Sequence, residues 1–399
     1  MDIPNDRLRR FFKDHFSQVE IDSFCYDYFP DVYDDFSSQM SKDAKITELL
    51  SYVHRHRKHS KLFRELSKAR PQMYEDLQRE LRKDTKINAT VYSDLFTLGN
   101  RSFPFQVIDG DGVLTYTPST ITCAIDPSPL ELPPDVEALR AEVMMEEEAK
   151  KKAGEHFHWN GPQLALKRYR IGRTVPDEKM ELHLVLQNTD YYTFRATVLS
   201  LDRPLKDGKT LREKYLNPAP EDPIPFLAIG LGVAFVLFTS DEKLILSRRS
   251  SHASARPGEL DISFVEGIHA QLDRTSDGTC PNVYSSAIRG AEEEVGIDLQ
   301  PPDFHLLGFG VDHDYYQWNL IGMANLPMTS QEALRRRTRG ASGKWEVRDF
   351  PIIDARPDAV WEFIAKEKLW AMGWAALYWS LVYKYGRDVV DKSAEDFFK

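Results

Sequence analysis

The chain has 399 residues, a formal net charge of −10, and 42% hydrophobic and 29% charged residues. It is too long for one compact core, so two or three domains of ordinary globular composition are expected. No apolar run reaches the roughly 18–20 residues that cross a bilayer, and the start shows neither a basic nor an apolar leader, so a cytoplasmic protein without membrane attachment is expected. The acidic balance makes nucleic acid an unlooked-for partner, because polyanion binders carry a basic footprint. Cys25, Cys123 and Cys280 are odd in number and lack CxxC spacing, which argues against a disulfide framework or a structural zinc site.

From Asp6 to about Asp84 apolar residues recur at helical spacing, as in Leu8–Phe11–Phe12–Phe16, Ile46–Leu49–Leu50–Val53 and Leu62–Phe63–Leu66. Pro30, the Ser37-Ser38 pair with Ser41, the stretch around Ser60, and Pro71 divide the run, with Ser41 placed as an N-cap and Pro71 at a first helical turn. The pattern predicts a small all-helical bundle. Its charge is segregated: Glu20, Asp22, Asp27, Asp31, Asp34 and Asp35 fall in one stretch, and Arg55, Arg57, Lys58, Lys61, Arg64, Lys68 and Arg70 in another. Two readings stand side by side. These are two solvated faces, or an acidic patch that meets a basic patch on a similar domain and gives a specific pairing or a homo-oligomer.

The segments Leu8-Arg9-Arg10-Phe11-Phe12, Phe24 to Pro30, Lys45 to Val53, Leu62 to Leu66 and Arg70-Pro71 resemble the bacterial effector-associated, death-like adaptor domains. The resemblance covers residues 1–85. It implies a helical bundle that brings an effector to a protein partner carrying a matching domain, in prokaryotic conflict systems such as antiviral defence.

Residues 86–155 follow as a linker, rich in Gly and Pro to about Leu132, with a hairpin around Gly110-Asp111-Gly112 and a charged, mostly solvated helix from Val136 to Lys152. Residues 156–213 form a β-rich segment, with strands predicted at Leu164 to Arg170, Glu181 to Gln187 and Tyr191 to Leu199. Leu231 to Phe238 and Lys243 to Arg249 read as a hairpin about Ser240-Asp241-Glu242, and Glu259 to Gly267 as a third strand. A helix is predicted from Tyr284 to Val295, closed by Gly296. Near the end, Trp361, Trp370, Trp374 and Trp379, with Leu377, Leu381 and Tyr385, predict a core-forming helix.

Glu292, Glu293 and Glu294 lie on that predicted helix behind a strand that ends in Gly267. Carboxylates at adjacent and one-turn positions suit a hard divalent cation and a diphosphate that completes its shell, although three glutamates alone read more readily as a solvated acidic patch. The surrounding residues Arg289, Ala291, Glu293, Glu294, Gly296 and Ile297 resemble the Nudix box, Gly-x5-Glu-x7-Arg-Glu-U-x-Glu-Glu-x-Gly-U with U apolar. The resemblance implies a Nudix fold over residues 214–390, a mixed β-sheet sandwiched between helices on which the β-rich segment packs. It also implies a nucleoside diphosphate-linked small molecule as ligand, Mg²⁺ or Mn²⁺ held by Glu293, Glu294 and the Gly267 carbonyl, and Arg289 and Glu292 within the reacting site.

Two departures qualify the implied hydrolysis. Gly290 replaces the acid that follows the arginine, and a polar insertion through Asp277, Gly278 and Pro281 separates Arg289 from Asp273, which keeps the Gly-x5 spacing with aspartate for glutamate. A missing ligand weakens metal binding, and a missing base slows attack of water by about 10²–10⁴-fold. A base would then come from Glu292, Glu266 or Glu346. Arg248 and Arg249 are candidates to grip the ligand's phosphates or are charges at a strand edge. Gly310 to Asp314 reads as a polar strand or turn, and His252 and His313 as surface histidines. The sequence therefore predicts a Nudix-type pyrophosphohydrolase recruited by its adaptor, or a catalytically weakened nucleotide sensor.

Overall fold

The computed structural model describes residues 5–37, 39–55, 58–70, 95–174, 177–217, 220, 222–251, 253, 255–274, 280–340 and 347–398. The protein is multidomain, with two units, Met1–Asp94 and Leu95–Lys399. Ser38, Arg57, Pro71, Asp84, His252, Asp277, Gly278 and Glu346, named above, lie outside the described residues. Among those described, no helix is long and apolar enough to cross a membrane.

The first unit is helical, as its periodicity requires: α1 (Asn5–His15), α2 (Gln18–Tyr28), α3 (Pro30–Asp34), α4 (Lys42–Arg55) and α5 (His59–Ala69). Ser17 and Glu20 cap α2 reciprocally, Pro30 starts α3, and the Ser41 hydroxyl accepts the Ala44 N–H at the start of α4. The break expected around Ser60 falls a little earlier, since Ser60 is already inside α5. Leu8, Phe12, Phe16, Phe24, Phe29, Ile46, Leu49 and Leu62 are among the side chains that fill one core. The segregated charges are partly matched within the unit. Glu20 pairs with Arg70, Asp22 with Lys45 at 2.6 Å, and Asp31 with Lys58 at 4.0 Å.

The second unit opens with β1 (Leu95–Leu98), β2 (Arg101–Gly110) and β3 (Ile121–Asp126), so much of the expected linker is built into sheets instead. Alternate apolar side chains, such as Phe103, Phe105 and Val107, give these short strands something to bury despite their glycines and prolines. α6 (Pro134–Ala153) buries Val136, Leu139, Val143 and Glu147 along one stripe, so the charged helix has an inner face. β4 (Pro162–Arg173) and β5 (Met180–Asp190) pair antiparallel, and β3 lies parallel to the other edge of β5. The predicted strand Tyr191 to Leu199 is instead α7 (Tyr191–Ala196) followed by a 3₁₀ turn. There the Asp190 carboxylate accepts the Thr193 N–H at 2.8 Å and is itself held by Arg140, so a cap overrides the β-forming side chains.

After α8 (Leu211–Tyr215) come β6 (Gly232–Phe238), β7 (Lys243–Ile245), β8 (Ser247–Arg249), β9 (Leu260–Asp261), β10 (Phe264–Gly267) and α9 (Val283–Gly290). The predicted hairpin is present, but its second strand breaks at Leu246 and the third strand breaks after Asp261, so that β8 and β9 join a small separate sheet. β11 (Phe304–Asp312), β12 (Gln317–Asn325), α10 (Ser330–Gly340), β13 (Val347–Asp349), β14 (Ile352–Asp354), α11 (Pro357–Ile364), α12 (Ala371–Tyr385) and α13 (Arg387–Phe397) complete the unit. The large mixed sheet runs β1-β2-β11-β12-β6-β7-β14, with β10 also on β6.

β6 shows why its sequence is apolar without interruption. Val233, Phe235 and Leu237 enter one core and Ala234, Val236 and Phe238 the other, so both faces of the strand are covered. α9 packs on the first face and α12 on the second, where Trp361, Trp370, Trp374 and Trp379 are buried as the sequence predicts. Each large side chain so enclosed contributes roughly 1.5–3 kcal/mol.

Asp312, at the end of β11, is fully buried. Its carboxylate accepts the Met372 N–H at 3.1 Å near the start of α12, and the N–H groups of Asp314 and Tyr315. It thereby supplies the cap that Trp370 lacks. Burial, aided by Asp314 and opposed by these hydrogen bonds and Arg256, pushes its carboxyl up to about 7. A carboxyl whose folded value is raised holds its proton while the unfolded chain releases one. Stability should therefore be fully present at about pH 4 and fall towards pH 7, by at most about 1.4 kcal/mol per pH unit for this group. Urea titrations at stepped pH should show this slope, and Asp312→Asn should flatten it.

Candidate functional site

The geometry centres on Arg289, near the end of α9. Its Nε and Nη2 donate to the two oxygens of Asp273 at 2.8 Å each, a fork-to-fork ion pair that spans the polar insertion. Asp273 is buried and also accepts from the His269 N–H and the Ser286 hydroxyl, both at 2.7 Å. Arg289 Nη2 donates to the Gly267 carbonyl at 2.8 Å, while Nη1 lies 2.8 Å from Glu266 and 3.5 Å from Glu293. One guanidinium thus ties the end of β10, the following loop and the acidic turn together.

Electrostatics follow from that crowding. Burial, opposed by Arg289 and reinforced by Glu293 and Asp273, pushes the Glu266 carboxyl up to about 7. For Arg289 burial acts in the opposite direction, but Asp273 and Glu266 outweigh it and hold the guanidinium above its ordinary range. It is a fixed positive charge among carboxylates.

Past Gly290 the helix widens into a π-turn, Ala291–Val295, before Gly296 closes it at φ 73°. Ala291 and Val295 are buried, Glu293 and Glu294 half-buried, and Glu292 exposed. The Glu294 carbonyl accepts from Arg337 Nε at 3.1 Å, and Arg337 stacks on Phe350, a contact without a sequence signal. Gly290 has ordinary helical dihedrals, so its value is space rather than backbone freedom. A Cβ there would lie 2.8 Å from both Glu266 Cβ and the Phe264 ring.

The other predicted site residues are placed elsewhere. Arg248 donates to Glu367 through two hydrogen bonds of 2.9 Å. Arg249 donates to the Ala255 carbonyl at 2.8 Å and lies 3.7 Å from Asp261. His313 is buried rather than on the surface, because its ring meets Gln106 at 3.1 Å beneath the β11–β12 turn.

A Mg²⁺ or Mn²⁺ ion requires several converging oxygens. Among the described residues no three His, Cys, Asp or Glu side chains converge in that way. The Gly267 carbonyl is engaged by Arg289, which also draws Glu293. These residues do not fit a ready-made metal centre.

Residues 8–71 match the family model Effector-associated domain 7, and this places an effector-associated domain in the helical unit. No similar protein was found among curated sequences. Among solved structures, the crystal structure of DR0079 from Deinococcus radiodurans is similar at 17% identity, over 39% of this chain and 83% of that one. Its TM-score of 0.27 is too low to define a shared fold.

Proposed function

We propose that the chain is an adaptor-borne nucleotide sensor: the effector-associated domain brings it to a protein partner, and a Nudix-like second unit holds a nucleoside diphosphate-linked ligand with little or no turnover. The observation that carries the sensor reading is the close approach at Gly290, which leaves no room for the missing acid beside Glu266 and Phe264. The Nudix part rests on the box-like order of Gly267, Asp273, Arg289, Glu293, Glu294 and Gly296, and on Arg289 joining Gly267 and Asp273. Hydrolysis by a Nudix-type enzyme is the second reading. Glu266 favours it, because a carboxyl raised to about 7 beside Glu293 is matched to proton transfer near neutral pH.

Purified full-length protein should be incubated with NAD, ADP-ribose, dinucleoside polyphosphates and cyclic oligonucleotides, with and without Mg²⁺ or Mn²⁺. The sensor reading expects saturable binding of one class without product. Product that disappears in Glu293→Gln and Glu294→Gln would favour the enzyme instead, and neither binding nor product would remove both.

A further inference from the structure

We propose that the cleft between β4, β5 and the loop after β3 is a further small-molecule site, built for an uncharged planar ring with a cyclic-amide edge, such as a nucleobase. It shares no residue with the Arg289 cluster, so it stands whether or not that cluster takes a nucleotide. The cleft encloses about 590 Å³, within the range of small-ligand sites. Pro129, Leu132, Pro133, Pro225 and Phe226 are among its walls.

Those walls are set in advance by the sequence. Proline locks its own φ and restricts the residue before it, so a loop carrying Pro127, Pro129 and Pro133 loses little entropy when a ligand enters. Asp126 fixes the start of the loop by accepting the Ser128 N–H at 2.9 Å and the Ser128 hydroxyl at 2.6 Å. On the opposite wall, Phe226 is held edge to face against Tyr215 at 5.1 Å.

Two polar groups converge in the cleft. Gln187 is only 4% exposed, and its amide N–H groups donate to the Ser128 carbonyl at 3.1 Å and the Ser128 hydroxyl oxygen at 2.9 Å. Its amide oxygen accepts no hydrogen bond among the described residues, and a desolvated acceptor calls for a donor. Lys167 is the extra residue of a β-bulge, where β4 shifts register against β5 between Leu166 and Arg168, and a bulge re-aims the side chain it carries. Lys167 Nζ donates to Asp126 at 2.8 Å and to the Ser128 hydroxyl oxygen at 3.2 Å, which leaves one of its N–H groups for a ligand.

Both side chains reach the same Ser128 oxygen, so one free donor and one free acceptor stand side by side. That pair complements the adjacent C=O and N–H of a cyclic amide. Charge agrees with it: the ionisable lining residues are Lys167 and Glu131, whose charges cancel, so nothing there favours a phosphate or a carboxylate.

Calorimetric titration of the full chain with uridine tests this. Uridine should bind saturably, and uridine methylated at its ring N–H should bind at least about tenfold more weakly, because the Gln187 oxygen is then buried without a donor. Lys167→Met should weaken uridine by about tenfold, while Asp126 keeps its two Ser128 donors and with them the loop. Hydrogen–deuterium exchange should slow in residues 128–132 and 226–228 when uridine is added. No binding of uridine, equal binding of the methylated form, or an unchanged affinity in Lys167→Met would overturn the proposal. Protection confined to Phe264–Gly267 and Val283–Val295 would also overturn it, and would assign uridine to the Arg289 cluster instead.

Discussion

Arg289→Ala is expected to lower the stability of the second unit by about 3–5 kcal/mol, a fall of roughly 10 °C in its calorimetric transition. The guanidinium is the counter-charge of Asp273, whose side chain is only 1% exposed, and it also neutralises Glu266. Truncation leaves one buried carboxylate with only the His269 N–H and the Ser286 hydroxyl, and a second with no cation beside it. It also frees the Gly267 carbonyl. Arg289→Lys should recover part of the loss, because an ammonium keeps the charge but cannot reproduce the two-oxygen fork. A calorimetric scan of Arg289→Ala that matched the parent would show that the network contributes nothing to the fold.

Gly290→Glu, which writes the missing acid back into the box-like sequence, is expected to destabilise and to confer no turnover. Propensity alone would favour glutamate over glycine at this interior helical position by up to about 1 kcal/mol. Sterics reverse the sign. The new Cβ meets Glu266 Cβ at 2.8 Å, an atom fixed to the backbone of β10, and the Phe264 ring at the same distance. Overpacking of this kind costs about 1–3 kcal/mol, and a carboxylate beside Glu266 adds repulsion. Gly290→Ala isolates the steric part and should destabilise less. Denaturant midpoints for both variants, with product analysis for Gly290→Glu, check this. A stable Gly290→Glu protein that gained metal-dependent hydrolysis would contradict the account.

The bundle, the apolar strand β6, the glycine stop at Gly296 after the π-turn and the buried helix α12 were legible because each is written in local periodicity or in a cap residue. The role of the segment before Leu132 was less so. Its glycines and prolines resemble linker composition, yet β2 gains its place through pairing with β11, some two hundred residues away, which no local pattern reveals. Tyr191 to Leu199 misled for the opposite reason: its side chains favour strand, while one aspartate clamped by Arg140 caps a helix.

In the candidate site, the Gly-x5-Asp spacing pointed to Asp273, and its partner Arg289 was named. Their contact lies across an insertion and is a tertiary fact. Glu266 was one of three candidate bases, and the structure brings it beside Arg289 because β10 and α9 pack closely at Gly290. The ion pair of Arg248 with Glu367 was not legible, because a cation at a strand end carries no sign of a glutamate more than a hundred residues away.

The most direct test of the central claim is hydrogen–deuterium exchange of the full chain with and without whichever of ADP-ribose, NAD or a dinucleoside polyphosphate binds. The account predicts slower exchange concentrated in Phe264–Gly267 and Val283–Val295, the segments joined by Arg289. Protection that fell elsewhere in the second unit, with those segments unchanged, would contradict it.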